Sequence, residues 1–181
     1  ISYHNTTNKD LIYATDSSGA WTFQTIDSAG NNGWYTAIAV AANDSVHISY
    51  YDKDNTNLKY ATNSGGSWTT TIVDGSGVDV GEFSSIAIDN YGRAQISYYD
   101  ATNQDLRYAY QEPNYMWQTS TQSGYGVVDS TGDVGKQSSI AIKNNKAHIA
   151  YCDETNGYLK YAEQSSYQGS WTTYTAHTNN G

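Results

Sequence analysis

HISYYDKDNTNLKYATNSGGSW, residues 47–68, is written three more times in this chain. It returns as QISYYDATNQDLRYAYQEPNYMW at 95–117 and as HIAYCDETNGYLKYAEQSSYQGSW at 148–171, and a shorter copy, ISYHNTTNKDLIYATDSSGAW, occupies 1–21. Ile1, Ile48, Ile96 and Ile149 are equivalent, as are Leu11, Leu58, Leu106 and Leu159, and the structural markers Trp21, Trp68, Trp117 and Trp171. Self-similarity at a period of 40 to 50 residues signals a repeat architecture. The repeats run 1–33 (partial), 34–81, 82–135 and 136–181, as one array over residues 1–181.

Helical periodicity is absent. Short Val/Ile/Tyr/Thr runs alternate with Gly/Asn/Asp/Ser clusters, the pattern of strands joined by turns. Each full repeat holds four runs. Strand A is TAIAV (36–40) or SSIAI (84–88, 138–142), strand B is HISYYD, strand C LKYAT and strand D WTTTIVD. Four antiparallel strands per repeat predict an all-β fold, a β-propeller of four-stranded blades with A innermost and D outermost. Three repeats are complete and the first lacks its inner strand. Small Ala39, Ala87 and Ala141 suit the tight centre, and each tryptophan is placed to cover the gap between blades. Cys152 takes the place of Tyr51 and Tyr99, which predicts a buried strand residue and no disulfide, since it is the single cysteine.

Acidic residues outnumber basic ones, 18 to 9, for a net charge of −9. That surface repels phosphate backbones and anionic lipid, so neither a nucleic-acid partner nor membrane insertion is expected. The basic residues Lys9, Lys59, Arg107 and Lys160 sit singly, one per repeat. A composition rich in Asn, Thr, Ser, Gly and Tyr points to a secreted or cell-surface protein.

The hairpin Ala61–Trp68, with Asn63, Gly65 and Trp68, resembles a degenerate Asp-box, the turn between third and fourth strands of sialidase-type propellers. Copy one keeps Asp16 and Trp21 but has Ser18 where the motif has glycine. The resemblance implies the fold. Sialidase activity would need three arginines converging on the substrate carboxylate, whereas only Arg93 and Arg107 are present. The layout of HISYYDKDNTNLKY is also similar to the blades of fungal fucose-binding propeller lectins. There the fucose-gripping arginine and glutamate fall on Ile48 and Tyr60 of this chain, so fucose specificity is not implied.

No nucleophile elbow, phosphate loop or zinc-spaced histidine pair occurs. His47 and His148 alternate with Gln95 at one strand-B position, as a hydrogen-bonding residue would. Asp52, Asp100 and Asp153 recur at the B–C turn, where an aspartate bonds the turn's own amides. Calcium is the weaker alternative for these Asp/Asn-rich turns, which lack the spacing of a calcium loop; no cofactor or metal is expected. Rings beside amides and carboxylates are what sugar recognition uses. The candidate ligand-binding residues are therefore Tyr51, Asp52, Tyr99, Asp100, Tyr60, Tyr108 and Asp153, with no catalytic residue. The expected function is a non-catalytic extracellular binding or adhesion module, lectin-like, with glycans or surface polysaccharide as partner. The alternatives are a structural scaffold, or a propeller fragment of a larger glycoside-acting enzyme. The first copy begins at strand B, and HTNNG at 177–181 matches the phase of AGNNG at 29–33. The missing inner strand is thus expected from further blades or from another copy of the chain.

Overall fold

A computed structural model of the chain describes residues 1–75, 77–114, 116–119 and 126–178. Among them every regular element is a strand. The first sheet holds β1 (Ser2–Asn5), β2 (Asp10–Thr15) and β3 (Thr22–Asp27). The second holds β4 (Asn32–Val40), β5 (Val46–Asp52), β6 (Asn57–Thr62) and β7 (Thr69–Asp74). The third holds β8 (Val80–Ile88), β9 (Ala94–Asp100) and β10 (Asp105–Gln111), then β11 (Trp117–Gln118) and β12 (Gly126–Asp129), which both pair with β10. The fourth holds β13 (Val134–Lys143), β14 (Lys146–Asp153), β15 (Tyr158–Gln164) and β16 (Trp171–His177). All pairings are antiparallel, and all join chain neighbours except that of β12 with β10.

The inner strands β4, β8 and β13 stand side by side, with β1 against β4, so the sheets fan out as propeller blades. Strand A proves longer than the alternating run suggests. It starts at Asn32, Val80 and Val134, because a bulge interrupts its register before the SSIAI segment. Strand D of the third blade is divided between β11 and β12. Among the described residues β1 pairs with β2 alone. The HTNNG ending falls partly at 179–181, outside the described residues.

The core lies in three seams, one between each pair of successive sheets. Each seam repeats one set of contacts. A strand-C leucine (Leu11, Leu58 or Leu106, all fully buried) lies under a glycine of the next inner strand. A Cβ on Gly81 would come within 2.7 Å of the Leu58 Cα, and its φ of +112° is one that side chains resist. Burying such a leucine stabilises by about 1.5–3 kcal/mol. At the rim a strand-D tryptophan packs on the preceding blade's tyrosine: Trp68 on Tyr13, Trp117 on Tyr60, Trp171 on Tyr108.

Buried charge completes each seam. The Tyr50, Tyr98 and Tyr151 hydroxyls donate to Asp27, Asp74 and Asp129 of the preceding blade, each at 2.7 Å. Lys59, Arg107 and Lys160 pair with those same aspartates. Burial pushes the Asp27 and Asp129 carboxyls up, but the bonds from lysine, tyrosine and backbone outweigh it and hold both below the ordinary value. The basic residues of strand C, solitary in sequence, thus act as counter-ions between blades.

Two expectations are corrected here. Cys152 is only half-buried, because its face of the fourth sheet is not covered by a following seam among the described residues. Trp21 covers no gap: it is 53% exposed, since no sheet precedes its own in the described residues.

Candidate functional site: a bulged mouth at the inner strands

The bulges of the three inner strands display pairs of side chains at equivalent places: Trp34–Tyr35, Glu82–Phe83 and Lys136–Gln137. In the second sheet Trp34 pairs with Tyr51 and Ala37 with Ser49, so one extra residue is inserted. Glu82 and Ser85 stand likewise opposite Tyr99 and Ser97, and Lys136 and Ser139 opposite Cys152 and Ala150. The residue that absorbs the insertion is left-handed each time, with φ of +48° at Tyr35, +50° at Phe83 and +53° at Gln137. A bulky residue there costs on the order of 1–3 kcal/mol and persists only where its surroundings hold it.

The neighbouring blade does the holding. The Ser84 hydroxyl donates to the Tyr35 carbonyl at 3.0 Å, and Ser138 to the Phe83 carbonyl at 3.1 Å. With those hydrogens committed, Ser49 donates to Ser84 (2.9 Å) and Ser97 to Ser138 (2.8 Å). Ser49 and Ser97 therefore tie the bulges at Tyr35 and Phe83 to the next sheet. Bulges of this kind re-aim side chains, and here they place unlike groups on a repeated frame.

The displayed groups form one aromatic, charged surface. The Tyr35 and Phe83 ring centres are 4.5 Å apart; Tyr51 lies 6.1 Å from Tyr35, and Tyr99 lies 6.2 Å from Phe83. Tyr51 donates to Asp79 (2.8 Å) and Tyr99 to Asp133 (2.7 Å), which fixes both rings from the following D–A loop. Burial and the facing carboxylates raise both phenols above their ordinary value. Lys136 donates to Asp133 at 2.8 Å and lies over the Tyr99 ring. Lys53 lies over Trp34, whose ring also meets that of His4 at a tilt, with centres 4.7 Å apart. Glu82 is raised above the ordinary carboxylate value, first by burial and then by the Asp79 charge, against the opposing pull of Lys136 and Lys53.

Of the residues singled out from sequence, Tyr51 and Tyr99 lie buried beneath this mouth, and Asp52, Asp100 and Asp153 sit buried at the B–C turns. Asp52 accepts from the Asn55 amide, Asp100 from Asn103 and Asp153 from Asn156, at 3.2, 2.9 and 3.0 Å. Tyr60 and Tyr108, also buried, stand near the C–D turns. Tyr108 donates to Gln95 at 2.7 Å. Tyr60 meets His47 Nδ1 at 2.5 Å, and His47 Nε2 meets Ser45 at 2.9 Å. Because Ser45 donates to Asn43 (2.7 Å), it accepts from Nε2–H, leaving Nδ1 to accept the Tyr60 proton. Burial depresses the His47 pKa, consistent with this neutral ring. Tyr60 and Trp117 line a cleft of about 500 Å³ between the second and third sheets, with Asn43, Thr71, Tyr91 and Gln111. Among the described residues no group of three or more His, Cys, Asp and Glu is gathered to hold a metal ion.

Trp34, Tyr35, Glu82, Phe83, Lys136 and Gln137 escape a search for repeated motifs because they do not repeat. The legible signal was glycine followed by two unmatched residues in NNGWY, DVGEF and DVGKQ.

No family profile and no curated protein matches this chain. Its fold, however, is found in solved structures. A GH43 β-1,3-galactosidase aligns with TM-score 0.60 and 11% identity over 92% of this chain and 40% of its own. The exo-β-1,3-galactanase of Phanerochaete chrysosporium, solved with galactose, gives 0.57 and 14% over 96% and 49%. A leech intramolecular trans-sialidase gives 0.53 and 10% over 93% and 28%. The fold is that of a β-propeller, and the chain spans half or less of the length of each. The expectation that the chain is no enzyme is overturned by these likenesses, because this architecture serves glycoside hydrolases and a trans-sialidase. Too few arginines for a sialidase does not make the fold non-catalytic. No helix of the described residues is long and apolar enough to cross a membrane.

Proposed function

We propose that these blades belong to a carbohydrate-engaging propeller of the cell exterior, and that glycan contacts the bulged mouth. The observation that carries this reading is the Tyr35–Phe83 pair, held at strained backbone positions beside Glu82 and Lys136. A pyranose offers an apolar face to such rings and hydroxyls to flanking carboxylate, ammonium and amide groups. Tyr51 and Tyr99 serve as the platform beneath, and Asp52, Asp100 and Asp153 shape the turns beside it. The carbohydrate-active names of the aligned propellers support the ligand class. Titration of the chain with galactose, sialyllactose and β-1,3-galactan, followed by tyrosine and tryptophan fluorescence, tests the reading. Saturable binding that weakens in Phe83→Ala upholds it; binding that survives loss of both Tyr35 and Phe83 refutes it.

A second reading is favoured by Glu82 alone. A carboxyl whose hold on its proton is strengthened by burial and by Asp79 is better suited than an ordinary one to donate a proton to a leaving-group oxygen, so the mouth would form part of the site of a larger glycoside-acting propeller. Product release from β-1,3-galactan that disappears in Glu82→Gln while binding persists would support it.

A further inference from the structure

We infer that the cleft between the second and third sheets is a second binding site, separate from the mouth, and that its ligand is a neutral sugar. The A–B and C–D turns rim this cleft, at the strand ends opposite the mouth, so the two sites lie roughly 20 Å apart along the seven residues of β5. The cleft is open because the repeat is emptied here. Thr62 pairs with His47 as Tyr110 pairs with Gln95, so a threonine stands where the third sheet has a tyrosine. Ser45 likewise stands where that sheet has Arg93: their carbonyls close equivalent turns, accepting from the Ala41 and Asp89 amides at 2.9 and 3.0 Å. Between the third and fourth sheets, Tyr110 is fully buried and its hydroxyl meets that of Tyr167. The Arg93 guanidinium lies 5.2 and 5.1 Å from those two ring centres. These three side chains close the space that Ser45 and Thr62 leave open. The resulting volume of about 500 Å³ falls within the roughly 300–1,000 Å³ of small-molecule sites.

The walls select the ligand. Among the described residues no Asp, Glu, Lys or Arg lines the cleft, although the chain carries a net charge of −9. His47 is held neutral between Tyr60 and Ser45. The other polar groups are hydroxyls and amides. Asn43 and Gln111 commit their carbonyl oxygens within the chain, to the Ser45 hydroxyl at 2.7 Å and the Ala94 amide at 3.3 Å, so each has an NH2 group to offer as donor. Thr71, paired with Tyr60, adds an exposed hydroxyl. The rings are Trp117, edge-to-face with Tyr60, and Tyr91, which is 70% exposed and backed on one face by Arg93. Arg93 is itself bound to Asp89 through two nitrogens, at 2.9 and 2.7 Å. Uncharged donors beside rings match the hydroxyls and apolar face of a pyranose. A carboxylate or phosphate would enter without a counter-ion, at a cost in desolvation. The mouth, with Glu82 and Lys136, differs in this respect.

The test uses the full chain labelled with 5-fluorotryptophan, with the Trp117 resonance assigned through Trp117→Phe. It is titrated with galactose and glucose, and with galacturonate and glucuronate, which differ from them only by a carboxylate at C6. A saturable Trp117 shift with a neutral sugar is expected, with the matching uronate at least about tenfold weaker. Thr62→Tyr, which installs the third sheet's residue, should abolish the shift. Tyr91→Ala, whose ring is exposed, should weaken binding about two- to tenfold. Phe83→Ala should leave it unchanged, so this site stands or falls apart from the mouth. If Thr62→Tyr does not fold, the Tyr91→Ala and uronate arms decide. A Trp117 resonance unmoved by either neutral sugar up to about 100 mM overturns the proposal. So does a uronate bound as tightly as its neutral partner, a shift that survives Thr62→Tyr or is indifferent to Tyr91→Ala, or one that vanishes in Phe83→Ala.

Discussion

The seams and the mouth are built from the same three inner strands, yet they are written in opposite ways. Seam residues repeat: leucine under glycine, tyrosine and cation on aspartate, tryptophan on tyrosine. Mouth residues vary from blade to blade on a backbone bulge that itself repeats. Seam positions face identical neighbours and so meet identical packing demands. The bulge lifts its side chains away from those neighbours, which frees them to differ. Repetition marks what stabilises this fold, and its interruption marks where one blade does something the next does not.

The largest expected effect breaks a seam. Asp129→Ala would leave Lys160 and Tyr151 without their shared partner at 2.5 and 2.7 Å, and should cost about 3–5 kcal/mol in denaturant unfolding. The same pairing fixes the acid response. Asp27 and Asp129 have folded pKa values below the ordinary carboxylate value. Their contribution is therefore present above about pH 4, the unfolded value, and is lost as pH falls through the lower folded values. An acid unfolding midpoint that does not move in Asp129→Asn would contradict this.

A glycine pair separates crowding from backbone strain. Gly81→Ala drives a Cβ to 2.7 Å from Leu58 at φ +112°, and should cost about 3 kcal/mol. Gly19→Ala, at φ +83° with nothing within 4 Å, carries only the backbone cost of about 1 kcal/mol. Equal melting shifts for the two would show that the leucine–glycine approach does not matter.

At the mouth the comparison predicts the reverse division of effects. Phe83→Ala should weaken glycan binding about two- to tenfold, as loss of a ring contact worth about 0.5–1.5 kcal/mol implies, with little change in melting temperature. The smallest effect is Glu82→Gln. A carboxyl raised by folding binds its proton more tightly in the native state, so it destabilises increasingly as pH rises through its folded pKa. The substitution should stabilise by less than about 1 kcal/mol at neutral pH and not at all below the unfolded pKa. Stabilisation that grows toward acid pH would reverse the assignment.

The sequence by itself determined the repeat, the four-strand blade and the strand order, because alternation and turn chemistry are local and were stated four times. It also placed Trp68, Trp117 and Trp171 between blades, since a large ring at the same position in successive copies meets the same neighbour. The tertiary structure decided what those copies do to one another. Lys59, Arg107 and Lys160 look like isolated surface charges until Asp27, Asp74 and Asp129 of the preceding sheets are brought within reach. Tyr51 and Tyr99, read as ligand-facing rings, lie buried under Tyr35 and Phe83. The mouth was hidden for a physical reason: a bulge is a mismatch in pairing between two strands, and pairing is not a property of either strand alone. Only when β5 and β9 are laid beside β4 and β8 does one residue become surplus, and that residue turns its neighbours outward.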